Sequence, residues 1–132
     1  MSDTHYSTND PNEATAALAA GPSFGYAQSD KIAEALKDVT ALKTAKGSLD
    51  AVMILGDLST DDCGYRNLSI NYVNQFKLDF MDQLSLIGVE SYALAGNHDS
   101  YTNEEWMGIF GYGRQNVVEL NGAKFIMLDT FK

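Results

Sequence analysis

The chain of 132 residues is poor in cysteine, proline, histidine and basic residues, and each shortage excludes something. Cys63 stands alone, which rules out an intrachain disulfide framework. Only Pro11 and Pro22 interrupt the chain, and the 11 glycines show no period, which excludes collagenous and proline-rich low-complexity classes. No apolar run approaches the roughly 20 residues that a helix needs to cross a bilayer. Nine Lys and Arg stand against 18 Asp and Glu, giving a net charge of -9. That sign disfavours nucleic acid and anionic lipid as partners unless metal ions supply the positive charge. The opening Met1-Ser2-Asp3-Thr4-His5-Tyr6 lacks the basic and apolar regions of a secretory signal, so location stays open. With 45% hydrophobic and 20% charged residues, the composition is that of one soluble globular domain or part of one.

Residues 7–28 are rich in Ser, Thr, Asn, Gly and Pro and read as a long connection, with 14–20 as a short helix or packed loop. Ile32, Ala35, Leu36, Val39 and Leu42 then fall at helical spacing, with Ser29 or Asp30 to cap the start and Gly47 after the end. Ala51-Val52-Met53-Ile54-Leu55 is a continuous apolar run ending at Gly56-Asp57, as in a strand buried on both faces of a parallel sheet. A polar loop over 59–67 leads to a second helical stripe of Val73, Phe76, Phe80, Leu84 and Ile87, which Gly88 ends before a strand over 89–95. Thr102 and Glu105 form a capping box for a helix through Trp106 and Phe110, both read as core. Asn121-Gly122 marks a hairpin between 117–120 and 124–128. Strands alternating with helices predict an α/β fold.

Three polar clusters punctuate this scaffold: Asp3-Thr4-His5, Gly56-Asp57 and Gly96-Asn97-His98-Asp99. The second and third follow apolar strands directly, at the carboxyl ends where open α/β sheets place ligand sites. Carboxylate and imidazole together suit Zn, Mn and Fe, and the two oxygens of Asp57 allow it to bridge a pair of ions. On an extended segment, residues two apart share a face, so Asp3 and His5 could hold one ion together. Asn97 offers a neutral oxygen to a second ion, and His98 suits proton transfer near neutral pH. Arg66, in the loop with Asp61, Asp62 and Tyr65, is a candidate for a phosphate oxygen, against the plainer reading of a solvated loop. Plainer readings exist for the others too: a frayed tail for Asp3 and His5, a turn or N-cap residue for Asp57, a left-handed loop residue for Asn97, an ordinary loop histidine for His98.

In this order the clusters resemble the first three motifs of the calcineurin-like metallophosphoesterase superfamily, whose pattern continues with a single His and a Gly-His-x-His. The resemblance runs from residue 2 to the final strand. It implies a layered α/β/β/α sheet sandwich of which residues 1–132 form the amino-terminal half, a partial domain. It also implies metal-dependent hydrolysis of phosphate mono- or diesters by a hydroxide activated by two divalent or transition metal ions, Mn, Fe or Zn. Carried over residue by residue, Asp3 and His5 ligate the first ion, Asp57 bridges both, Asn97 ligates the second and contacts substrate, and His98 assists the leaving group. Asp99 would orient His98 or its loop.

The departures from the pattern are specific. His5 and His98 are the only histidines, so the later His motifs are missing, and only Met1 and Ser2 stand where the family has a strand before Asp-x-His. The expectation is a segment of a longer gene product, inactive by itself. The alternative is a non-catalytic or degenerate α/β binding module. A Ser-His-Asp hydrolase and a Walker-type nucleotide site are disfavoured, because neither glycine-rich signature occurs.

Overall fold

The computed structural model describes residues 1–6, 28–59 and 66–130, with the side chains of 28, 29 and 66–68 outside that description. The expected connection over 7–27 and the residues Asp61, Asp62, Cys63 and Tyr65 lie outside it, as does the side chain of Arg66. In chain order the elements are α1 (Gln28–Lys46), β1 (Ala51–Leu55), α2 (Arg66–Phe76), a π-helical turn (Lys77–Met81), α3 (Asp82–Leu86), β2 (Glu90–Leu94), α4 (Asn103–Phe110), β3 (Asn116–Leu120) and β4 (Ala123–Met127).

The mixed α/β content agrees with the expectation. β1 and β2 pair in parallel, with Ala51 opposite Glu90 and Leu55 opposite Leu94. β3 and β4 form a separate antiparallel pair. Among the described residues there are thus two small sheets, which by themselves do not build the layered sandwich. Residues 1–6 run along the edge of β1 that β2 leaves, with Leu55 N–H donating to Met1 O at 2.7 Å and Tyr6 N–H to Leu58 O at 2.9 Å. Tyr6 and Ser59 form a parallel bridge there.

The core lies between this sheet and the helices. Ile54, Leu58, Val73, Phe76, Phe80, Leu84 and Trp106 are fully buried, with Ile32 of α1 and Ala93 of β2 against them. Burying each large apolar side chain contributes roughly 1.5–3 kcal/mol.

Three details depart from the sequence-based expectation. Leu42 is 46% exposed, although it was placed on the buried face of α1. The reason is helical phase: at 3.6 residues per turn, 11 residues make about three turns, so Lys43 and not Leu42 stands above Ile32. Lys43 uses that position to donate to Ile87 O, at the end of α3. The second stripe is interrupted by the π-helical turn, whose wider spacing lets Phe80 and Met81 both reach the core. β1 is not buried on both faces, for Leu55 is 57% exposed and only Ile54 of the strand is fully buried.

The turn chemistry agrees closely. Gly88, at φ +72°, ends α3 with Val89 N–H donating to Leu84 O and Gly88 N–H to Ser85 O, both at 2.9 Å, the Schellman pattern. Thr102 and Glu105 make the reciprocal capping box of α4. Asn121 and Gly122 both take positive φ, as the two-residue hairpin turn requires.

Candidate metal centre

The site lies at the carboxyl ends of β1 and β2, where two glycines let the chain pass itself at close range. A Cβ on Gly56 would sit 2.7 Å from Gly96 Cα, and one on Gly96 would sit 2.2 Å from Asp57 Oδ1 and 2.5 Å from Asp57 N. Any side chain at Gly96 would therefore occupy the space of the Asp57 carboxylate. Gly56 also takes φ +85°, which side chains resist.

Asp99 joins the two loops. Its Oδ2 accepts from Asp57 N–H and from Gly96 N–H, both at 2.8 Å, and its Oδ1 from Leu58 N–H at 3.0 Å. The residue is 1% exposed. Burial pushes its carboxyl up to about 6; the three backbone donors oppose that shift, and the nearby Asp57 charge adds to it. Of the two roles considered for Asp99, these contacts favour holding the loop.

Asp57 is 7% exposed, and its Oδ1 accepts from His98 N–H at 3.0 Å. Asp3 N–H donates to Gly56 O at 3.1 Å and His5 N–H to Asp57 O at 2.9 Å, which lays the first cluster against the second. Thr4, between them, is buried and donates through Oγ1 to Leu58 O at 2.5 Å. As a result, one ligand atom from each of Asp3, His5 and Asp57 lies within 4.8 Å of the others.

The route to this convergence differs from the expected one. Asp3, His5 and Asp57 take φ of 52°, 38° and 52°, so the first segment is not extended at its ligand residues. Left-handed backbone costs a non-glycine residue roughly 1–3 kcal/mol and persists only where the surroundings impose it. Among the described residues, the other non-glycine with positive φ is Asn121 in the hairpin turn. Local strain is thus concentrated on the three groups able to hold an ion.

A sequence model of calcineurin-like phosphoesterases matches residues 1–130. The chain belongs to the calcineurin-like phosphoesterase family. Neither a curated protein nor a solved structure matches it significantly. The family's metal-dependent phosphoester hydrolysis and the Asp-His-Asp group agree in chemistry, since carboxylate and imidazole are the donors that such ions take.

Of the remaining expected residues, His98 lies beside that group. The His98 ring stands edge-on to the His5 ring, with centroids 5.2 Å apart, which brings the proton-transfer candidate beside a ligand. Asn97 is exposed on the turn between Gly96 and His98.

Sequence reasoning missed Arg114. Its side chain is 6% exposed; Nε donates to Asp129 Oδ2 at 2.6 Å, and Nη1 to Asp99 O at 2.6 Å and Tyr101 O at 2.8 Å. The guanidinium also lies 5.5 Å from the Trp106 ring centre. Arg114 therefore fixes the far end of the Asn97-His98 loop. A signal for it exists in the sequence: Arg114 stands two residues before Asn116 and Asp129 two after Met127, so the hairpin register carried outward sets them opposite. The same loop is held at its other side by a buried hydroxyl cluster, in which Tyr101 Oη lies 2.7 Å from Ser59 Oγ and 2.6 Å from Ser69 Oγ.

Proposed function

We propose that this centre hydrolyses phosphate mono- or diesters with two divalent or transition metal ions of the Mn, Fe or Zn class. The observation that carries the reading is the convergence of Asp3, His5 and Asp57, each held in the left-handed region. The donor set fits such an ion: two carboxylates and an imidazole, in a chain of net charge -9 that otherwise repels a phosphate. In this reading Asp3 and His5 hold the first ion, Asp57 is shared, and Asn97 gives an amide oxygen to the second. When bound, the ions supply Lewis acidity toward phosphoryl oxygens, charge that offsets the substrate, and a water acidified toward neutral pH.

The chain's own residues have distinct tasks. His98, beside His5, donates a proton to the departing oxygen of the ester. Asp57 Oδ1 holds the His98 backbone, and Asp99 keeps both loops at contact distance. Asn97 contacts the substrate in this reading, and Arg66 is the sequence-based candidate for a phosphate oxygen. The layered α/β/β/α sandwich forms part of the same proposal.

Ion content is the test. We expect Mn or Zn to bind the purified chain stoichiometrically and to be lost in Asp57→Asn. In a form of the protein that turns over, relative rates on p-nitrophenyl phosphate and bis(p-nitrophenyl) phosphate separate monoester from diester preference. A wild-type chain that takes up no ion stoichiometrically would contradict the proposal and favour the non-catalytic binding module.

A further inference from the structure

Two of the three converging ligands, Asp3 and His5, sit on a segment of six described residues, and both hold costly backbone conformations. Something must impose those conformations from each side. On the amino side the segment is tied by backbone bonds, Leu55 N–H to Met1 O and Asp3 N–H to Gly56 O. On the carboxyl side the backbone ties are His5 N–H to Asp57 O and Tyr6 N–H to Leu58 O, and to these the Tyr6 side chain adds an anchor of its own.

Tyr6 is 1% exposed and packs edge-on against Phe76, with ring centroids 5.8 Å apart. Its hydroxyl donates to Asp79 Oδ2 at 2.5 Å. Asp79 is itself fixed, because Gln75 Nε2 donates to its Oδ1 at 2.8 Å. Asp79 belongs to the π-helical turn, where the chain departs from regular helix, and such turns recur at functional sites. The turn sends Phe80 and Met81 into the core and leaves Asp79 at the rim, facing the tyrosine. Neither Tyr6 nor Asp79 is part of the converging group. Tyr6 is joined to it by the peptide bond to His5, and Asp79 by the Tyr6 hydroxyl.

We propose that Asp79 is a positioning residue for the metal centre: through the Tyr6 hydroxyl it holds the segment in which Asp3 and His5 meet Asp57. The effect is indirect and acts on ion affinity. Groups that orient a ligand typically change affinity 10- to 100-fold when removed. Asp79 acts one residue further out, so a loss of about tenfold is expected.

This inference rests on the metal-centre reading, and the experiment separates the two. MnCl2 is titrated calorimetrically into the wild-type chain and into Tyr6→Phe, Asp79→Ala, the double variant and Asp79→Asn, with thermal unfolding followed in parallel. Tyr6→Phe keeps the buried ring, and Asp79 lies at the surface, so all variants retain the core packing. Tyr6→Phe and Asp79→Ala should each weaken Mn binding about tenfold. The double variant should be no weaker than either, because one bond is lost in all three. Asp79→Asn, which keeps an acceptor oxygen for the tyrosine, should recover affinity to within about twofold of wild type, a difference below 0.5 kcal/mol. Unchanged Mn affinity in Tyr6→Phe or Asp79→Ala, even with a lowered melting temperature, overturns the positioning role. Additive losses in the double variant overturn it as well. Failure of the wild-type chain to bind Mn would instead overturn the metal-centre reading.

Discussion

Replacing Gly96 by alanine would place a methyl carbon 2.2 Å from Asp57 Oδ1, 2.5 Å from Asp57 N and 2.8 Å from Asp57 Cγ. A relaxed contact lies at roughly 3.5 Å, so the two loops would have to separate by about 1 Å. One of the close atoms is backbone and cannot rotate away. Overpacking of this kind costs about 1–3 kcal/mol. The separation also pulls on Asp99, whose Oδ2 spans both loops with 2.8 Å bonds. Orphaning one of those buried N–H groups adds about 1–3 kcal/mol. The sum, about 2–6 kcal/mol, is a large share of the 5–15 kcal/mol that holds a typical domain together. Gly108 provides the control: it lies inside α4, and nothing stands within 4 Å of its added Cβ. Alanine there should stabilise by about 0.5–1 kcal/mol through helix propensity. Urea unfolding of wild type, Gly96→Ala and Gly108→Ala, compared at midpoint and slope, reads both effects. A Gly96→Ala chain within about 0.5 kcal/mol of wild type, the range of an ordinary surface substitution, would refute the close-approach argument.

Asp57→Asn should remove stoichiometric Mn binding while leaving the fold intact by circular dichroism; a retained ion would reassign the shared ligand. His98→Ala should keep ion content and lower phosphoesterase turnover by about 10²–10⁴, the usual loss for a proton-transfer group, measured in any form of the protein that turns over. Arg114→Ala should destabilise by about 3–5 kcal/mol in urea unfolding, because it removes the cation that pairs with the buried Asp129 carboxylate. Asp129→Asn, which removes the charge but keeps an acceptor, should cost less than Arg114→Ala in the same assay.

What could be read from the sequence was local. Asn121-Gly122, the Thr102 and Glu105 pair and Gly88 each specify their turn within a few residues, and each forms as expected. The glycines before Asp57 and Asn97 also marked strand ends correctly. The clusters around Asp3, Asp57 and His98 were visible because residue type and order carry them. Their geometry was not visible, because the left-handed conformations of Asp3 and His5 are imposed by bonds to residues more than fifty positions away. Arg114 escaped for a similar reason, since its bonds to the Asp99 and Tyr101 carbonyls depend on how the loop folds back. The π-helical turn is hidden too, because the apolar spacing from Val73 to Ile87 fits a regular helix equally well. Leu42 was misplaced by treating each apolar residue near the right spacing as part of one face, when helical phase assigned that position to Lys43.

The central claim is that Asp3, His5 and Asp57 form one ion site, and anomalous diffraction from zinc-soaked crystals of this chain tests it most directly. The account predicts a zinc peak about 2.0–2.2 Å from a His5 ring nitrogen and from a carboxylate oxygen of Asp3 and of Asp57. Zinc bound only elsewhere, with these three side chains pointing apart, would contradict it.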